Sequence, residues 1–184
     1  MKPFQAVFFD FDGVIAHTIP IFRQALFQFF REKELKVVES EFESDGWASK
    51  SLGQFCTILA ERYDIHFEVN ELRGQIWQAQ VDLMNAGLES DPSLIPFLEY
   101  CKASGILVAI GSNSFRDRIE WVVKKMKIDE YFLHDHAHPE KWYNIVGVND
   151  IIQHKPDPEV WIKCSEMLGI PLSECLVIED GLPG

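Results

Sequence analysis

The sequence predicts an α/β fold, a doubly wound parallel sheet with a helical cap domain inserted after the first strand. Three observations point there. Four short apolar runs, AVFF at 6–9, ILVAIG at 106–111, NIVGV at 144–148 and CLVIE at 175–179, are rich in Val and Ile and lack strict alternation. That is the pattern of strands covered on both faces. Helical patterns fill the intervals between the second, third and fourth runs, and alternation of strand and helix means a parallel sheet with helices on its faces. The stretch 19–89 breaks this rhythm, because it is apolar at helical spacing and contains no strand-like run.

Taken in order, AVFF runs directly into an acidic motif and predicts a buried first strand. The insertion follows, over 18–89. Phe22, Leu26, Phe29 and Phe30 form one amphipathic face, Phe55, Ile58, Leu59 and Tyr63 a second, and Ile76, Val81 and Leu83 suggest a third. Turn-forming residues cluster near 16–20 and 87–92, where the chain leaves and rejoins the sheet. The expected domains are therefore 1–17 with 90–184, and 18–89. In the second half a helix is expected over 93–104, with Pro96 in its first turns and Gly105 beyond its end. Others are expected over 115–127 and over 158–168, the last followed by Gly169.

Composition narrows the function. A chain of 184 residues can bury one core plus a small accessory domain, and 47% hydrophobic with 25% charged residues suits a globular protein. The formal net charge of −12 repels nucleic acid and anionic membranes alike. No apolar run approaches the roughly 18 residues that a membrane span needs, and the start MKPFQAVFF leads into acids and not into a cleavage site, so a cytoplasmic protein is expected. Cys56, Cys101, Cys164 and Cys175 lie far apart and form no zinc or dithiol spacing, which predicts reduced, buried thiols.

In an open parallel sheet, ligands bind beyond the carboxyl ends of the strands. There the first run ends in Asp10-Phe11-Asp12-Gly13, the second in Gly111-Ser112-Asn113 and the fourth in Glu179-Asp180-Gly181, and the third leads to His154-Lys155-Pro156. Topology is expected to gather four carboxylates, a hydroxyl and an ammonium around one point. Two unit negative charges about 4 Å apart repel by about 4 kcal/mol at an effective dielectric near 20, so such a cluster calls for a counter-charge. Hard oxygen donors, with no nearby Cys or paired His, favour Mg²⁺. A carboxylate facing phosphorus can attack it, and a second acid two residues along the strand shares its face and can protonate the leaving oxygen. Asp10 and Asp12 fit that pair, with Ser112 and nearby backbone N–H groups on the phosphoryl oxygens and Lys155 neutralising charge.

FFDFDGVIAHT, IGSNS, HKPDPEVW and VIEDGLPG, in this order and spacing, resemble the four motifs of the haloacid dehalogenase superfamily, in its branch of helical-cap phosphatases and β-phosphoglucomutase-like enzymes. The resemblance implies a Rossmann-like core. It also implies Asp10 as nucleophile, Asp12 as acid/base and backbone metal ligand, Ser112 and Lys155 as phosphate-site groups, and Asp180 as a Mg²⁺ ligand with Glu179 acting directly or through water. Asn113, beside Ser112, is a candidate substrate contact. The second acid, Asp12, argues for phosphate chemistry over carbon–halogen or phosphonate cleavage. The expected substrate is a small phosphorylated metabolite, and the expected reaction is hydrolysis of a phosphomonoester.

The sequence departs from the family pattern in three places. His17 stands where an acid is usual, and Phe22 stands near the position where sugar phosphomutases generally carry a His, which favours hydrolysis over mutase activity. Family members continue with further helix and strand past the position of Gly184, so a missing tail is expected to lower stability by leaving part of the sheet in water, at about 25 cal/mol per Å². A phosphomutase and a non-catalytic binding protein of the same fold are the rival readings. In the insertion, Lys50 within Trp47-Ala48-Ser49-Lys50-Ser51 occupies the place of a substrate-specificity loop and is a candidate substrate contact. The alternate histidines of His134-Asp135-His136-Ala137-His138 read first as a solvated loop and second as a transition-metal site.

Overall fold

The computed structural model describes residues 4–38, 40, 52–133 and 144–181. The chain divides into two compact units, Met1–Ala16 with Ser90–Gly184, and His17–Glu89.

In the first unit, strands β1 (Ala6–Phe9), β2 (Leu107–Gly111), β3 (Ile145–Val146) and β4 (Cys175–Ile178) form a parallel sheet in the order β3-β2-β1-β4. β1 sits inside, paired with β2 from Ala6 opposite Leu107 to Phe9 opposite Ile110, and with β4 from Ala6 opposite Cys175 to Phe9 opposite Ile178. Its four residues are all buried. Alternation of side chains sends neighbours to opposite faces. Phe8 stacks on Trp161 with ring centroids 6.5 Å apart, while Phe9 meets Phe97 and Phe132 edge-on at 6.0 and 6.3 Å. Phe97 lies on the helix Leu94–Ser104 and Trp161 on the helix Glu159–Leu168, so helices cover both faces of β1, as double winding requires. A further helix, Arg116–Lys125, follows β2.

Gly105 and Gly169 end their helices in the left-handed conformation, at φ 60° and 66°, as their positions in the sequence suggest. Two strands differ from expectation. β3 is two residues long because Gly147 starts a 3₁₀ turn over Val148–Asp150, where its N–H donates to Asp150 Oδ2 at 2.9 Å. Among the described residues β4 is the outermost strand beside β1, and its Leu176 and Val177 are exposed, not covered on both faces.

The second unit is helical. Among the described residues its helices are α1 (Ile19–Glu32), α2 (Leu52–Tyr63) and α3 (Val69–Ala86); those of the first unit are α4 (Leu94–Ser104), α5 (Arg116–Lys125) and α6 (Glu159–Leu168). His17 N donates to Glu89 O at 2.9 Å and joins the two ends of the unit. Leu26, Phe29, Phe30, Phe55, Leu59, Leu72 and Ile76 form its core, with Phe30 stacked on Phe55 at 6.1 Å. α3 buries Leu72, Ile76, Gln80 and Met84, one residue every fourth. Val81 and Leu83 are only partly buried. At about 100° per residue they flank that stripe, so of the expected third face only Ile76 lies in it. All four cysteines are free thiols, three of them buried. Among the described residues no helix is long and apolar enough to cross a membrane.

Candidate active site

The site grows from the carboxyl end of β1. Asp10 follows the strand directly, and its N–H donates to Ile178 O of β4 at 2.9 Å, so the sheet ladder extends to the first acid. Phe11 and Ile15 are fully buried and anchor the turn that follows. Within it Gly13 adopts φ +92°, its N–H donating to Ala16 O at 2.9 Å. A Cβ on Gly13 would stand 2.0 Å from Asp180 Oδ2. Only glycine tolerates both the positive φ and this carboxylate. Gly111 is similarly constrained, since a Cβ there would meet the Trp161 ring at 2.7 Å.

Lys155 reaches this end of the sheet from the loop ahead of α6. Its ammonium donates to Asp10 Oδ1 at 2.7 Å and to Glu179 Oε2 at 2.8 Å, and it lies 4.1 Å from the centroid of the Trp161 ring. With its side chain only 6% exposed, the lysine is held by charge from two sides and by an aromatic face. Asn113 braces the same loop, its Oδ1 accepting from Lys155 N at 3.0 Å. The acceptor end of Asn113 is thus engaged with protein backbone.

Asp10, Glu179 and Asp180 each offer an oxygen within 4.8 Å of the others. One ammonium faces three carboxylates, so with all of them ionised two negative charges remain unbalanced. A divalent cation would supply that balance, and three hard oxygen donors suit Mg²⁺. Burial pushes the Asp10 carboxyl up to about 7, against the pull of Lys155, and Glu179 and Asp12 add to the rise.

The fourth carboxylate, Asp12, lies outside this group of three, yet its charge acts on Asp10. Asp12 accepts from the Ser114 hydroxyl through Oδ2, and Arg118 Nη1 stands 2.9 and 3.2 Å from its two oxygens. Three of the four expected carboxylates thus share one close group, and Asp12 is held beside it by Ser114 and Arg118. Ser112 is buried just beyond β2; its N–H donates to Val146 O, and its hydroxyl accepts from Ser114 N at 3.0 Å. Lys50 and the 134–138 histidines lie outside the described residues.

Sequence reasoning passed over Ser114, Arg118 and the aromatic support from Trp161. A signal for Arg118 existed. Arg116 and Arg118 open α5, at the helix end that disfavours cations, so each needs a local counter-charge. Arg116 pairs with Glu120 at 3.0 Å, and Arg118 with Asp12.

Comparison with known proteins agrees with this architecture. A Thermotoga maritima phosphorylated carbohydrates phosphatase is 21% identical over 187 residues, covering 98% of this chain and 78% of that protein. An Arabidopsis thaliana bifunctional riboflavin kinase/FMN phosphatase is 26% identical over 189 residues; the match takes in 97% of this chain and 44% of the plant protein's length. The crystal structure of CbbY from Rhodobacter sphaeroides in complex with xylulose-(1,5)bisphosphate shares the fold with a TM-score of 0.79 at 17% identity, covering 98% of this chain and 79% of that one. A sequence model of the haloacid dehalogenase-like hydrolases matches residues 4–184, and the chain belongs to that hydrolase family.

Proposed function

We propose that this chain is a Mg²⁺-dependent phosphatase of small phosphorylated metabolites, working in the cytoplasm through a phosphoaspartyl intermediate on Asp10. The observation that carries this reading is the buried ammonium of Lys155, shared by Asp10 and Glu179 beside Asp180 at the end of the central strand. Asp10, Glu179 and Asp180, with the backbone carbonyl of Asp12, would hold Mg²⁺, which supplies the positive charge that admits an anionic phosphate among carboxylates.

Asp10 attacks phosphorus, the bond to the leaving oxygen breaks, and Asp12 delivers a proton to that oxygen. Asp12 then takes a proton from the water that attacks the phosphoaspartate, releasing inorganic phosphate and restoring Asp10. Lys155 neutralises charge on the nucleophile and the phosphoryl group, Ser112 and nearby backbone N–H groups hold the phosphoryl oxygens, and Asn113 contacts the substrate. Sugar phosphates are the first substrates to try, given a relative named for phosphorylated carbohydrates and a fold neighbour holding a sugar bisphosphate.

Phosphate release from sugar phosphates, phosphoglycolate and nucleotides, with and without Mg²⁺, tests this reading beside Asp10→Asn. Mg²⁺-dependent release that vanishes in the variant supports it. A folded wild type that releases phosphate from none of them rules it out in favour of a binding protein, or of a mutase if a sugar bisphosphate then supports isomerisation.

A further inference from the structure

Asp12 is carried by the turn after β1, and its carboxylate meets two side chains from other parts of the chain. Ser114 reaches Oδ2 from the loop after β2. Arg118, in the first turn of α5, meets both oxygens with Nη1 and also donates to Ser114 Oγ at 2.8 Å. The guanidinium is itself fixed, lying 5.2 Å from the centroid of the Phe11 ring with its side chain 11% exposed. Phe11 is fully buried and immediately precedes Asp12. The arginine is thereby packed against the segment that carries the acid it grips. A guanidinium held over an aromatic face loses little further freedom on making its hydrogen bonds.

From this geometry we infer that Arg118 is a positioning residue for the acid/base step: with Ser114 it sets the orientation of the Asp12 carboxyl toward the leaving oxygen. The inference rests on the phosphatase reading, in which Asp12 protonates that oxygen. It assigns Arg118 no contact with substrate. A catalytic side chain must be held within about 0.5 Å of its productive place by groups that are themselves locked, and the Phe11–Arg118–Ser114 arrangement has that form.

The test uses the dependence on leaving group. A sugar alkoxide cannot leave without a proton, whereas para-nitrophenolate is a weak base and leaves without one. The ratio kcat/KM covers only the steps through departure of the leaving group, so hydrolysis of the phosphoaspartate does not enter it. Arg118→Met is expected to lower kcat/KM about 100-fold for the fastest sugar phosphate, through kcat, and about 3-fold or less for para-nitrophenyl phosphate. Arg118→Lys, which keeps the cation, is expected to lose less on the sugar phosphate. Ser114→Ala removes the other contact and should show the same ester dependence with a smaller loss, which keeps the question open to test even where Arg118→Met fails to fold. Equal losses on both esters with a raised KM would make Arg118 a phosphate ligand and overturn the inference alone, as would wild-type rates on both. A wild type inactive on both esters would remove the phosphatase reading and the inference together.

Discussion

The Asp180 carboxylate lies over Gly13 so closely that a methyl group on the glycine would stand 2.0 Å from Asp180 Oδ2. The two residues are far apart in sequence, and the turn after β1 and the end of β4 meet here. Gly13→Ala must both strain a φ of +92° and displace a carboxylate of the acidic cluster. The expected result is a loss of about 1–3 kcal/mol of stability and weaker Mg²⁺ binding by calorimetry. Unchanged stability and unchanged affinity together would show that the turn relaxes away from Asp180.

Lys155 balances part of a buried negative cluster, so its removal leaves Asp10 and Glu179 without their shared cation. Lys155→Met is expected to lower the stability of metal-free protein at pH 8 by about 3–5 kcal/mol, the usual cost of stripping one partner from a buried pair. It also takes away the charge that holds the Asp10 carboxyl down. Chemical denaturation in EDTA measures the first effect. A loss below about 1 kcal/mol would mean that water enters and screens the cluster.

The raised Asp10 carboxyl gives metal-free protein a pH dependence of definite sign. Its ordinary value is 3.8, and in the fold it stands at about 7. Between those values the folded chain keeps a proton that the unfolded chain releases, so stability falls as pH rises through this window. The full shift amounts to at most about 4 kcal/mol. Denaturation in EDTA at pH 4 to 8 should show this fall in the wild type and a flatter profile in Asp10→Asn, the difference between the two isolating one carboxyl. Parallel profiles would place the proton on another group.

The sheet and the acids at its end were legible because both signals are local: an apolar run marks a buried strand, and the residues after it mark the binding edge. Asp10, Glu179, Asp180 and Lys155 come together through topology that the alternation of strand and helix already implies. The orientation of Asp12 was not legible in the same way. It depends on Arg118, 106 residues away in sequence, and the hint of it was a cation at the unfavourable end of α5. The contact of Gly13 with Asp180 is likewise a through-space distance that no spacing encodes. In the helical unit the buried stripe of α3 runs through Ile76 but also through Gln80, a polar residue that an apolar pattern does not mark.

Whether Asp10 carries the phosphoryl group is decided by peptide mass spectrometry after acid quench of a single turnover. With the fastest sugar phosphate and Mg²⁺, the wild-type peptide containing Asp10 should gain the mass of one phosphoryl group, and the same peptide from Asp10→Asn should gain none while release of phosphate stops. Phosphoryl mass on a different residue, or continued release by Asp10→Asn, would contradict that assignment.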